Sequence, residues 1–367
     1  MRVGILTFHR ANNYGAFLQA FALKHYLESL GLQVELVDYW PEGHADVYRL
    51  FPHSWKQRPF LGKIKGLISI VLRFNRGKKR IDGMQRLVSL HFGLSDTPRY
   101  VTPESLQQIS YDCIVYGSDQ IWWKSLLPGY KGFDPVYWGE YISTSIRKIA
   151  YAPSMGIINL TEDDKARIRK WLSNFHALSV RETGLYEAIH DLTDKEITVV
   201  SDPVFLLSKE EWSRYCSPIN KNKKYILYYN LLASKEGDAL VEMLKQKWGY
   251  DVVEVTGGVR TKKFGKRYVQ TADAFEFISL IKDAEFVVTS SFHGTAFSII
   301  FEKQFYATGF GQRAGRVKSL LSLLHIEERL IYDVDSLPDK EIEYIMVSKA
   351  MSEILLVSKN YIENNIR

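Results

Sequence analysis

The residues most able to do chemistry lie in the stretch Val287-Val288-Thr289-Ser290-Ser291-Phe292-His293-Gly294-Thr295. An apolar run ends in hydroxyls, and a histidine follows near the start of an apolar helical pattern, Phe292–Phe301. A helix N-terminus disfavours imidazolium, whereas a bound anion favours it. Beside a doubly anionic donor, His293 is a candidate general acid, with Ser290 and Ser291 as candidate anion contacts. The plainer alternative is a buried histidine satisfied by a backbone carbonyl.

Cations and one carboxylate recur at the same kind of place, just after a strand. Arg181-Glu182 follows Ala177–Val180. An arginine there is a bidentate clamp for phosphate or carboxylate, or else a structural ion pair with an acid such as Glu182. Gly309–Lys318 carries Arg313 and Arg316 among glycines, an anion-binding loop or merely a flexible basic one. Asp119, in Gly117-Ser118-Asp119-Gln120, could take a proton from a sugar hydroxyl, or could simply form a turn. Asn12-Asn13-Tyr14-Gly15 precedes a helix. Its free N–H groups suit an anion, and Gly15 would allow close backbone approach; simple capping by asparagine is the alternative. Asp202-Pro203 reads as a strand stop with a capping aspartate.

Several classes are excluded. No G-x-G-x-x-G follows the first strand, and no Gly-Lys-Ser/Thr phosphate loop occurs, so no dinucleotide cofactor is expected. The nine histidines are scattered, with neither an HExxH nor a Cys/His cluster, so no metal is expected. Two cysteines fit a reducing, cytoplasmic compartment rather than a disulfide framework. The first residues lack a secretory apolar core, and no apolar stretch reaches the roughly 18–20 residues of a bilayer span.

Net charge is 48 − 42 = +6, but ten Lys/Arg and no acid fall between Arg49 and Arg80. Within that window Leu61, Ile64, Leu67, Ile68, Val71, Leu72 and Phe74 recur near helical spacing. Such a segment, about 56–80, either lies on an anionic membrane surface or is a core helix with a solvated basic face. Nucleic acid is not an expected partner, since the rest of the chain is nearly charge-balanced.

To bring these residues together the chain must fold as parallel α/β layers. At 367 residues, 46% hydrophobic and 25% charged, it is globular and long enough for two domains. Short β-branched runs alternate with helical patterns. Strands are predicted at Arg2–Phe8, Gln33–Asp38, Cys113–Tyr116, Lys148–Ala152, Ala177–Val180 and Thr198–Val200. After the polar run near Ser208–Lys224 a second set follows: Tyr225–Asn230, Asp251–Val255, Phe286–Thr289 and Gln304–Ala307. The expected division is 1–207, with a basic insertion near 49–80, then 208–338, then a C-terminal helix over 339–367. Two facing doubly wound, Rossmann-like domains would put the strand-end residues at a shared cleft.

In order along the chain, NNYGAFLQAFAL, YDCIVYGSDQIW, KIAYAPSMG, LSVRE, SDPVFLL and FVVTSSFHGTAFSIIF resemble the polysaccharide pyruvyl transferase family, from about Thr7 to about Leu324. The resemblance implies a glycosyltransferase-B-like fold. It also implies transfer of a pyruvyl unit from phosphoenolpyruvate to two hydroxyls of a sugar on a free or lipid-linked glycan precursor, at the inner face of a bacterial membrane. It makes His293 the acid, matches Arg181 to the family's arginine in the SVR motif, and puts a further donor-binding cation at Arg313 or Arg316. Asp119 is the candidate for acceptor contact or base. Many members carry Arg two positions before the histidine; here that position is Ser291, so donor charge falls to Arg181 and the downstream loop. Two other readings compete: a nucleotide-sugar glycosyltransferase, and a non-catalytic binding protein on the same scaffold.

Overall fold

A computed structural model describes residues 1–49, 59–127, 130–219, 223–231, 234–309, 311, 314–338 and 340–367. Two six-stranded sheets dominate it. The first contains β1 (Arg2–Leu6), β2 (Gln33–Leu36), β3 (Cys113–Tyr116), β6 (Arg147–Ala150), β7 (Ala177–Val180) and β8 (Ile197–Val199) in the order β2-β1-β3-β6-β7-β8. β4 (Ser125–Leu127) and β5 (Tyr130–Gly132) form a separate antiparallel hairpin. The second sheet has β9 (Tyr225–Asn230), β10 (Asp251–Thr256), β11 (Tyr268–Val269), β12 (Phe286–Thr289), β13 (Phe305–Thr308) and β14 (Leu330–Ile331) in the order β11-β10-β9-β12-β13-β14. Every pairing within the two large sheets is parallel.

The sequence dictates this arrangement through burial. β3, β9 and β12 are buried at every residue, as strands covered on both faces must be. The covering helices of the first half include α1 (Tyr14–Ser29), α2 (Glu42–Tyr48), α3 (Phe60–Phe92), α4 (Glu162–Leu172), α5 (Thr183–Ile189) and α6 (Lys209–Ser213). The second half has α7 (Lys235–Trp248), α8 (Ala274–Lys282), α9 (Phe292–Ile300) and α10 (Gly315–Leu323). The last helix is α11 (Tyr344–Ile366).

Three devices lock the halves together. Tyr14 of α1 stacks on Phe277 of α8 with centroids 4.7 Å apart, and its hydroxyl donates to the Ala272 carbonyl at 2.9 Å. Arg80 of α3 is buried, lies 4.4 Å over the Tyr14 ring, and donates to the carbonyl of Thr256 at 3.1 Å. α11 crosses back to the first sheet, where the Tyr361 hydroxyl donates to the Ala150 carbonyl at 2.9 Å and Ser358 Oγ accepts from Ser201 N–H at 2.9 Å.

Two elements differ from expectation. The basic helix does not stop at Arg80 but runs to Phe92, because Met84, Leu87, Val88 and Phe92 enter the core. The terminal helix starts at Tyr344 rather than at the beginning of the tail. The Gln304 amide holds both backbone groups of Ile342, accepting from its N–H at 2.8 Å and donating to its carbonyl at 3.2 Å, so the helix cannot begin earlier.

Candidate active site

Order reverses between β1 and β3 in the first sheet and between β9 and β12 in the second. Ligands of such folds sit beyond the carboxyl ends of the strands at these reversals. Asp119 follows β3, Arg181 follows β7, Asp202 follows β8 and His293 follows β12, and the cleft brings the four together.

Asp202 is the hub. Its Oδ1 accepts from Val204 N–H at 3.1 Å. Its Oδ2 accepts from Arg181 Nη1 at 2.5 Å and from Ser118 Oγ at 2.9 Å, and lies 3.7 Å from His293 Nε2. Burial opposes the charge on both partners of the Arg181–Asp202 pair. Their mutual attraction wins: the Arg181 pKa is raised and the Asp202 pKa lowered. Glu182 stands 3.6 Å from Arg181 Nε and accepts from Ser154 Oγ at 2.8 Å.

The second cation is Arg316, at the start of α10. With the Gln120 amide oxygen turned toward it, that oxygen accepts from Nη2 at 2.8 Å and Nη1 at 3.1 Å. Burial, and then the neighbouring Arg181 charge, pull its pKa down to about 10. The Phe292 ring packs between the two guanidinium groups, 4.5 Å from that of Arg181 and 5.9 Å from that of Arg316. Arg181 Nε and Nη2, Arg316 Nε and His293 Nε2 are buried with no hydrogen-bond partner among the described residues. Buried donors are normally satisfied, and here the unmet N–H groups of the two arginines stand beside the unmatched His293 Nε2, while Glu182 Oε2, also without a hydrogen bond, lies 3.6 Å from Arg181 Nε. Arg181, Asp202, Phe292 and Arg316 also form one wall of a mostly apolar cavity of about 230 Å³, closed by Leu320, Leu323, Met351, Ile354 and Val357, which His293 and Asp119 do not line.

His293 is held from both sides. Ser291 caps α9, its oxygen accepting from Gly294 N–H at 3.3 Å. A Cβ at Gly15 would come within 1.9 Å of His293 Nδ1, so the imidazole occupies the space that glycine leaves. Burial lowers the His293 pKa, Asp202 and Asp119 oppose that, and Arg181 and Arg316 add to it. The ring is therefore neutral at neutral pH, with a carboxylate at hand to stabilise the charged form.

Other residues singled out from the sequence are placed as follows. Asn13 caps α1, its oxygen accepting from Gly15 N–H at 2.9 Å and Ala16 N–H at 3.3 Å. Gly15 thus makes room for the histidine rather than for a close-lying ligand. Ser290 is buried, its N–H bonded to the Tyr229 carbonyl at 3.1 Å. Asp119 sits half-buried at φ 74°, a left-handed conformation uncommon for non-glycine residues but one that aspartate tolerates better than most. Its backbone carbonyl accepts from Ser154 N–H at 2.9 Å, which ties the turn down. Arg313 lies outside the described residues. Sequence reasoning missed Asp202, whose Asp-Pro signature reads only as a cap, and also Gln120 and Phe292. Two signals could have found Asp202: its position after a strand and its place in the SDPVFLL motif. Among the described residues no group of His, Cys, Asp or Glu is arranged to hold a metal.

A second cleft, of about 540 Å³, opens beside α1 and is lined by Arg10, Asn12, Trp40, Tyr48 and Gln85 among others. Trp40 and Tyr48 stack with centroids 5.9 Å apart. Burial, and secondarily the Asp119 carboxylate, push the Tyr48 phenol up, so this cleft lies within electrostatic reach of Asp119.

Comparison with solved structures finds distant likenesses over nearly the whole chain. A Listeria monocytogenes protein assigned as a UDP-N-acetylglucosamine 2-epimerase gives a TM-score of 0.49 at 10% identity, covering 99% of this chain and 97% of the other. The UDP-GlcNAc 2-epimerase of Neisseria meningitidis gives 0.44 at 10% identity, covering 99% and 93%. The glycosyltransferase SnogD of Streptomyces nogalater gives 0.39 at 12% identity, covering 100% and 95%. No curated protein matches the sequence. The family model for polysaccharide pyruvyl transferases, in contrast, matches residues 13–309, from the cap of α1 to the end of β13. That span includes Asp119, Arg181, Asp202 and His293, and the chain belongs to the polysaccharide pyruvyl transferase family.

Proposed function

We propose that this chain transfers a pyruvyl unit from phosphoenolpyruvate to two hydroxyls of a sugar, on a polysaccharide or lipid-linked glycan precursor, in a bacterial cytoplasm near the membrane. The observation that carries the reading is the set of unmatched buried N–H groups on Arg181 and Arg316, with the unmatched His293 Nε2 nearby. A compact donor bearing a carboxylate and a phosphate has the complementary charge.

The reaction asks for one proton donor, charge neutralisation and one base. His293 takes up a proton as the multiply anionic donor binds and delivers it to the donor's methylene carbon. The oxocarbenium-like centre formed at the adjacent carbon is attacked by a sugar hydroxyl, whose proton goes to Asp119. Phosphate leaves from the same carbon, taking the proton held by Asp119, and a second hydroxyl closes the ketal as its proton returns to His293. Arg181 and Arg316 hold the carboxylate and the departing phosphate, while Asp202 steadies the imidazolium. The acceptor lies in the cleft walled by Trp40 and Tyr48, where an aromatic face suits a sugar ring. Ser291, in place of a third cation, is offset by Arg316.

The test is formation of a pyruvyl ketal, with release of inorganic phosphate, from phosphoenolpyruvate and a panel of glycan acceptors. Tight binding of a uridine or guanosine diphosphate, with no response to phosphoenolpyruvate, would move the assignment to a nucleotide-sugar transferase. A chain that retains its biological function as His293→Ala is a binding protein instead.

A further inference from the structure

α3 has two unlike halves. Its second half is core, and Arg80 ties it to backbone carbonyls of the second sheet. Its first half turns outward. Ile64 is 42% exposed, Leu67 45%, Ile68 55%, Val71 67% and Leu72 61%. Positions 64, 67, 68, 71 and 72 repeat at three and four residues, so they form one stripe. The exposed Lys78 and Lys79 continue that stripe two turns further on.

A second element, about 190 residues away in sequence, joins this face. Arg76 Nη1 donates to the Lys263 carbonyl at 3.1 Å, and its guanidinium lies 4.6 Å from the Phe264 ring. That ring is 62% exposed. Around it Arg260, Lys262 and Lys266 are exposed, and residues 257–267 contain no acid. In α3, Asp82 lies at the far end of the stripe and pairs with Lys78 at 2.7 Å. The result is a contiguous apolar strip with cations at its end and side, contributed by both halves of the molecule.

We propose that this composite face, the outer side of the first half of α3 with the loop at 257–267, docks on an anionic lipid surface. The charge decides the occupant. A second copy would bring cation against cation, whereas anionic headgroups complement the rim while the apolar stripe enters the acyl boundary. Among the described residues no helix is long and apolar enough to cross a membrane, so the attachment is peripheral. The face rests on the proposed function only in that a lipid-linked acceptor gives the docking its use; binding itself needs neither donor nor acceptor.

The experiment is co-sedimentation of the full chain with vesicles of phosphatidylglycerol and phosphatidylcholine, against pure phosphatidylcholine. Expected is binding to the anionic vesicles alone, weakened by salt. The double variant Val71→Glu/Leu72→Glu and, separately, Lys262→Glu/Lys266→Glu should each lose at least about tenfold in affinity. Both should keep wild-type melting temperature and wild-type stabilisation by phosphoenolpyruvate, which separates this result from failure of the donor site. Equal binding to both vesicle types, no binding by wild type, or unchanged binding by both variants overturns the proposal. So does a concentration-dependent dimer that Val71→Glu/Leu72→Glu abolishes, since a second copy would then cover the stripe.

Discussion

Gly15 of the first half and His293 of the second are packed so closely that no side chain fits between them, a Cβ on Gly15 falling 1.9 Å from the imidazole Nδ1. Gly15→Ala must therefore displace the imidazole from its present place beside Asp202. Because α1 starts at Tyr14 and alanine is well accommodated in a helix, the helix itself survives. The expected outcome is a folded protein, destabilised by about 1–3 kcal/mol through overpacking, with ketal formation reduced by at least about 100-fold. Calorimetry and a phosphate-release assay check the two parts. Wild-type turnover in this variant would remove His293 from the mechanism.

Donor binding should take up a proton. In the free protein His293 has a lowered pKa, chiefly from burial, so it is neutral at pH 7. A bound dianion raises that pKa. Affinity therefore increases as pH falls from neutrality to about 6, where a phosphate monoester begins to protonate itself. Calorimetric titrations in buffers of different ionisation enthalpy measure the uptake directly, and His293→Ala should abolish it. Without ligand the sign for stability is opposite. The unfolded chain binds a proton below about pH 6.5 that the buried ring resists, so this contribution is lost as the solution is acidified.

Removing Asp202 leaves Arg181 buried without its closest carboxylate, answered by Glu182 at 3.6 Å, by the more weakly acting Asp119 and by Ser118 Oγ at 3.2 Å. Asp202→Ala should cost about 3–5 kcal/mol in denaturant unfolding, as broken buried pairs do. Asp202→Asn keeps an oxygen for Val204 N–H and should cost less, yet turn over slowly because a neutral amide cannot steady an imidazolium. The wild-type carboxyl has a lowered pKa, so its stabilisation is present above the ordinary aspartate value of about 4 and disappears as pH falls through the folded value. Equal turnover in Asp202→Asn and wild type would deny it that role.

Phosphoenolpyruvate at about 100 times its dissociation constant should stabilise the wild type by roughly 2.7 kcal/mol, visible as a shift in melting temperature. Arg181→Ala should abolish the shift. Arg316→Lys keeps the charge but loses the two-pronged contact with Gln120, and should raise KM about tenfold or more with a smaller change in kcat. Steady-state kinetics distinguishes the two cases.

The strands were the most legible part of the chain. Cys113–Tyr116, Ala177–Val180, Tyr225–Asn230 and Phe286–Thr289 stand where their apolar runs put them, because burial on both faces leaves a continuous signal. His293 and Arg181 were legible as residues that follow a strand. Asp202 was not, because its importance lies in Arg181, Ser118 and His293, which are 21, 84 and 91 positions away, while its neighbours mark only a local cap. The purpose of Gly15 was hidden for the same reason: its partner lies on the other half. The extent of α3 was misjudged because charge, densest before Arg80, is a surface property, whereas Met84, Leu87 and Val88 answer to a core built by distant strands.

The cleft residues are divided between the two halves: Arg181, Asp202 and Asp119 on one side, His293 and Arg316 on the other. Neither half alone holds both an acid and a carboxylate to steady it. A partly folded chain, or one whose halves have come apart, can hold an anion weakly but has no proton aligned to give. Under the proposed function, docking of the halves works as an interlock that keeps a phosphate ester with a reactive double bond from being hydrolysed by a chain not yet fully assembled.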